Sequence, residues 1–196
     1  MRKSDRTRQY IIAQTAPIFN KKGFDGTSLQ DMVAATSLTK GALYGNFADK
    51  SEIAMEAFRY SVRRVKSMVR KKLEAVGTNR GQLEVLLDFY AEYVFKPPVP
   101  GGCPMLNAAI ECDDHRTSMR RAVGKELSDT IAFISGLLKK GIRAGEFRPG
   151  INTRELAYIF FCSVEGALMF SRVERSAEAM DVVVRHCKKI ITNIAT

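Results

Sequence analysis

The chain has 196 residues, of which 45% are hydrophobic and 27% charged, a composition that suits one or two globular domains with a substantial core. Its net charge of +10 is local: residues 1–72 hold 15 Lys and Arg against 6 Asp and Glu, and the remainder is nearly balanced. A basic end joined to a near-neutral body implies one surface for a polyanion and another with a different task, and the sequence reads as having no apolar run long enough to cross a bilayer.

The segment MRKSDRTRQY at the start is basic and polar, with no apolar signal-peptide core behind it, so the expected location is cytoplasmic. Arg2, Lys3, Arg6 and Arg8 suit phosphates or a minor groove. A first helix is predicted from about Ser4 to Lys22, with Ile12, Ala16 and Phe19 on one face, a kink at Pro17 and a stop at Gly23. Thr27 then offers an N-cap, with Gln30 three residues on, for a helix over about Ser28–Ala35. Thr36, Ser37 and Leu38 form a turn, and Thr39 caps a very short helix that ends near Gly45 and Asn46. Asp49 and Glu52 make a further capping box for a long helix with apolar positions from Ile53 to Val76. A helix, a three- or four-residue turn and a short second helix form the layout of a helix-turn-helix DNA reader.

The rest of the chain is also helical in period. Helices are expected over about Asn79–Phe95, Pro104–Cys112, Asp113 or Asp114 to Ala144, Thr153–Glu174 and Ser176–Asn193, with the KPPVPGG segment as the main breaker. The fold class is therefore all-α, with about nine helices. Residues 1–48 form a three-helix DNA-binding domain, and residues 49–196 a helical ligand-binding and dimerisation domain.

Residues Thr27, Leu29, Met32–Val33, Ala35, Leu38–Thr39–Lys40–Gly41, Leu43–Tyr44, Phe47, Lys50 and Ile53, with Phe19 and Gly23–Phe24 upstream, resemble the tetracycline-repressor (TetR) family of bacterial transcriptional regulators. The strong match covers residues 10–55. Two positions depart from the family's pattern: Ser37 stands at its turn glycine and Val33 at a small helix position. Ser37 is expected to need a left-handed backbone, at a cost of about 1 kcal/mol. The resemblance implies a homodimer built on the last two helices, a double-stranded DNA operator and a small-molecule inducer, with no cofactor.

Chemistry assigns the candidate DNA contacts. Gly41 and Ala42 lack bulk, so their helix can lie deep in a major groove. Lys40 reaches a phosphate or a guanine edge, Thr39 combines its cap with a phosphate contact, and the Tyr44 hydroxyl suits a phosphate oxygen. Lys50, and Thr27 with Ser28, stand at helix starts whose free amides favour an anion. Leu29, Met32, Val33, Leu38, Leu43, Phe47 and Ile53 are core.

In the body, Phe89, Tyr90, Tyr93, Phe95, Met105, Phe133, Phe161, Met169 and Phe170 are candidate walls of an apolar ligand pocket. Asn107, Glu111, His115 and Glu165 are candidate polar groups to orient the ligand, and aromatic and Met stripes at this spacing equally suit plain core. The last two helices offer Leu156, Ala157, Ile159, Phe160, Cys162, Ser163, Gly166, Ala167 and Phe170, then Met180, Val183, Val184, Cys187, Ile190, Ile191 and Ile194, as a pairing surface. Cys103, before Pro104 at a helix start, is the alternative: a sensor thiol for electrophiles or oxidants. The other cysteines, Cys112, Cys162 and Cys187, read as free thiols. Cys112, Asp113 and His115 lack a second cluster for a metal, so no metal is expected. The competing class, an enzyme or a small-molecule-binding protein without DNA binding, finds little support. His115 and His186 are the only histidines, and no phosphate loop, HExxH or GxSxG is present.

Overall fold

The structure is a computed structural model that describes residues 3–114 and 116–196, with side chains from Ser4 onward. The side chains of Arg2, Lys3 and His115, three of the candidate contacts, lie outside the described residues. Among the described residues there are nine helices and no strand: α1 Lys3–Lys22, α2 Leu29–Thr36, α3 Lys40–Tyr44, α4 Lys50–Glu74, α5 Asn79–Tyr93, α6 Pro104–Cys112, α7 Thr117–Arg143, α8 Thr153–Glu174 and α9 Glu178–Ile194. They form two compact units. The first joins the chain up to Val65 with Pro98–Val123; the second joins Lys66–Pro97 with Gly124–Thr196. The chain thus returns to its first unit to add α6.

The first unit is built on Ile11, Ile12, Met32, Leu43, Phe47 and Ile53, all buried, with Phe19, Leu29, Val33, Leu38 and Tyr60 packed against them. These residues come from α1 to α4 and the segments that join them, so each short helix gains a tertiary partner that its own length would not supply. α1 runs through Pro17 without interruption. Ser37 takes the left-handed backbone (φ 54°, ψ 25°) that the sequence requires of it, and its N–H bonds the Val33 oxygen at 2.8 Å. The cap of α2 differs from expectation. It is Ser28, whose side chain accepts from the Asp31 amide, while Asp31 accepts from the Ser28 amide. Thr27 is turned inward instead, and its hydroxyl donates to the Gly23 oxygen at 2.6 Å.

In the second unit, α5, α8 and α9 pack on one another. Glu146 lies at the start of α5 and accepts from the amides of Asn79 (3.1 Å) and Arg80 (2.7 Å). The end of the chain is tied back by a bridge between Phe147 and Ala195. Neither Asp113 nor Asp114 caps α7; Arg116, at φ 60°, turns the chain and the helix starts after it. α9 starts two residues later than expected, because Arg175 ends α8 in the left-handed region and the Ser176 hydroxyl accepts from the Glu178 amide. One expectation fails outright: by length and composition α8 is long and apolar enough to cross a membrane. Its sequence reads that way because one side is core, with Ala157, Phe160, Val164 and Leu168 buried, and the other is apolar as well.

Candidate nucleic-acid interface and regulatory body

α3 has five residues and a single fully buried side chain, Leu43. Thr39 caps it, its Oγ1 accepting from the Ala42 amide at 3.2 Å. At the other end the Asn46 side chain donates to the Ala42 oxygen at 2.8 Å. With Leu43 holding the helix to the core, Thr39, Lys40 and Gly41 are exposed, and Ala42 and Tyr44 are half-buried at the flank. A Cβ built on Gly41 would meet only the Thr39 hydroxyl, at 3.9 Å, so nothing within the protein requires a glycine there. The exposed edge of this helix is small, positively charged and free of acidic side chains in its first turn.

The other candidate contacts fare less well. Thr27 is fully buried and its hydroxyl is used within the chain, so it offers nothing to a phosphate. Ser28 is exposed, but its hydroxyl bonds Asp31, whose carboxylate would repel an anion at that helix start. The Lys50 ammonium lies 4.4 Å from the centre of the Phe24 ring. Arg8 is committed to the protein: it donates to the Asn46 oxygen at 2.5 Å, pairs with Glu52, and its guanidinium lies over Phe47. Arg6 remains exposed.

Sequence reasoning missed how α6 serves this unit. Asn107, expected to face a ligand, donates to the Asn20 oxygen at 2.9 Å, the Asn20 Oδ1 at 3.1 Å and the Gly101 oxygen at 3.0 Å. Asn20 in turn donates to the oxygens of Pro100 and Gly102. Gly101 has φ 116° and a Cβ there would come within 2.6 Å of the Asn20 oxygen, so the loop before α6 can take this path only with glycine. Glu111, another polar ligand candidate, accepts from the amides of Phe24 (2.7 Å) and Asp25 (3.0 Å). The signal was faint in the sequence: Asn and Glu four apart on one helix, and a Gly-Gly pair before it.

In the second unit Phe89, Tyr90 and Tyr93 form a buried aromatic cluster with ring centres 5.6–5.8 Å apart. Leu83, Leu86, Leu87, Tyr90, Ile134, Phe160, Phe161 and Val164 line a cavity of about 20 Å³. That is room for about one water, so this space accepts a larger molecule only if its helices part. Of the candidate pocket residues, Tyr90 and Phe161 line this cavity; Phe89, Tyr93 and Glu165 are buried in the same unit. Phe133 and Met169, expected in the pocket, are exposed because their helices turn the opposite face inward, and Phe95 and Phe170 are exposed too. Cys103 and Met105 are buried in the first unit. Burial pushes the thiol of Cys187 up to about 11, and burial together with the charges of Asp113 and Glu111 raises that of Cys112. Both shifts favour the protonated thiol over the thiolate. Among the described residues no group of three His, Cys, Asp or Glu side chains is placed to hold a metal.

The pairing surface is also rearranged. On α9, Met180, Val184, Cys187, Ile191 and Ile194 are buried in their own unit, as are Ala157, Phe160 and Ala167 on α8. What remains outward is a stripe on α8, comprising Tyr158, Ile159, Cys162, Met169, Phe170 and Val173, with Val182 on α9.

Residues 11–57 match the family model described as bacterial regulatory proteins of the tetR family, and residues 77–187 match that of the tetracyclin repressor-like C-terminal domain. A TetR-family transcriptional regulator from Cytophaga hutchinsonii is 39% identical; its crystal structure superposes with a TM-score of 0.93, over 100% of this chain and 98% of the other. The repressor NemR of Escherichia coli is 23% identical over 195 residues, 96% of either chain. A cysteine-substituted CifR, solved in complex with 26-bp double-strand operator DNA, is 19% identical with a TM-score of 0.81, over 92% of this chain and 94% of that one.

Proposed function

The chain belongs to the TetR family of bacterial helix-turn-helix transcriptional regulators, and on that premise we propose that it acts in the cytoplasm as a homodimeric repressor released from a palindromic operator by a small apolar ligand. It is a regulator and not an enzyme. The observation that carries the reading is α3 itself: Leu43 anchors it, and Lys40, Gly41 and the flank of Ala42 and Tyr44 are presented outward. A groove-reading helix needs this combination, since bulk would hold the backbone off the base edges.

In this reading residues 1–48 bind DNA and residues 49–196 bind ligand and dimerise. Lys40 meets a phosphate or guanine, Thr39 and Tyr44 meet phosphates, and Lys50 contributes charge at the start of α4. Two such heads on a two-fold axis give the affinity that one lacks. The apolar stripe on α8 supports the dimer, since exposed patches of this kind mark association surfaces. The cavity among α5, α7 and α8 supports an apolar ligand that must open the unit to enter. CifR, on its operator, supports the DNA partner. Thiol sensing at Cys103 is not favoured, because that side chain is buried.

Selection from random DNA by the purified protein tests the proposal. The expected product is a near-palindrome whose affinity falls as salt rises. Lys40→Ala and Tyr44→Ala should each weaken binding to it while leaving the dimer intact.

A further inference from the structure

We propose that Glu111 of α6 is a positioning residue for DNA reading, a role that rests on the assignment of α3 as the reading helix. Both carboxylate oxygens are used, one on the amide of Phe24 and one on that of Asp25. These amides follow the end of α1 and open the turn that leads to α2. Gly23 lies against the same carboxylate; a Cβ there would stand 2.6 Å from Glu111 Oε1. The turn is held from the other side by the Thr27 hydroxyl on the Gly23 oxygen. Arg116, just beyond α6, pairs with Asp25 and lies 3.8 Å from the centre of the Phe24 ring.

The apolar packing of α6 does not fix its position alone. Between α1, α4 and α6 a cavity of about 50 Å³ remains, walled in part by the small side chains of Ala16, Ala54, Ala57 and Ala108. The register of α6 against α1 is therefore set by polar ties at two points one turn apart: Asn107 on Asn20, and Glu111 on the turn after α1. That turn sets where α2 begins, and α2 shares its core with α3 through Met32 and Leu43. A carboxylate on α6 thus holds the start of the segment that presents Lys40 and Gly41.

The test uses full-length protein and the duplex that the wild type selects from random DNA. Glu111→Gln keeps size but leaves one acceptor for two amides, and its own NH₂ faces the second. It should bind that duplex about tenfold more weakly, remain dimeric, and show faster amide exchange confined to residues 23–45. Equal affinity of wild type and E111Q would overturn the proposal alone. So would weaker binding with exchange raised equally in α8 and α9, which marks a merely structural role. If E111Q does not fold, the wild type decides: the amides of Phe24 and Asp25 should be protected from exchange, and exchange at the unprotected rate overturns the proposal. Failure to select any duplex overturns the regulator reading with it.

Discussion

The Arg8 guanidinium lies 4.1 Å from the centre of the Phe47 ring, on the edge of the core shared by α1, α3 and α4. The same group donates to the Asn46 oxygen and pairs with Glu52, whose other oxygen accepts from the Ala48 amide. Arg8 therefore fastens α1 to the junction after α3. Arg8→Ala should lower the melting temperature by a few degrees, while Arg6→Ala, on an exposed side chain, should leave it unchanged. Differential scanning calorimetry distinguishes them; equal melting of wild type and R8A would refute the fastening role.

In the proposed reading, Gly41 separates the demands of folding from those of DNA. Its backbone is helical and open, so Gly41→Ala should fold as well as the parent or gain up to about 1 kcal/mol from helix propensity. The larger Gly41→Leu should fold equally well yet bind the selected duplex at least about tenfold more weakly, because its side chain would occupy the groove. Titration of labelled duplex, alongside urea unfolding, measures both. Undiminished binding by G41L would remove this face of α3 from the interface.

Asp31 gives the head a pH dependence of defined sign. Its hydrogen bond from Lys22, then those from the Ser28 amide and hydroxyl, lower its carboxyl from 3.8 to about 2. A carboxyl whose folded value is depressed contributes stability above its unfolded value and loses it as pH falls. The stability difference between wild type and Asp31→Asn should therefore be full above 3.8 and shrink as pH falls towards about 2. Urea midpoints of the pair across this range measure it; a difference independent of pH would show that the charge of Asp31 does not matter.

The outward stripe of α8 is the contact surface of the proposed dimer, since its apolar side chains are not needed for internal packing. Phe170 is 56% exposed and Val173 is 80% exposed. Phe170→Glu should shift the protein to monomer and lower operator affinity strongly, with little change in helical content. Met180→Glu, at a buried site of α9, should instead unfold its unit. Sedimentation velocity and circular dichroism separate the two outcomes. A dimeric F170E would move the interface elsewhere.

Helix number, the turn at Ser37 and the core of the head were legible in the sequence because they rest on local rules: apolar spacing, capping residues and glycine stops. Gly41 and Leu43 are two residues apart in one helix, about 200° around its axis, so their opposite facing follows from its period alone. Other features depended on contacts between segments far apart in the chain. Thr27 and Ser28 are adjacent and both suit a cap, and only the fold turned Thr27 inward. Asn107 and Glu111 look like pocket groups until α6 is seen against α1, more than eighty residues earlier. The faces of α8 and α9 both read as apolar, and the packing of α9 on α5 and α8 decided which of them is core. The sequence by itself determined which segments become helices, since that depends on neighbours three and four residues away. The tertiary structure decided which polar groups remain available to a partner, because a donor or acceptor used by a distant backbone is no longer free for one.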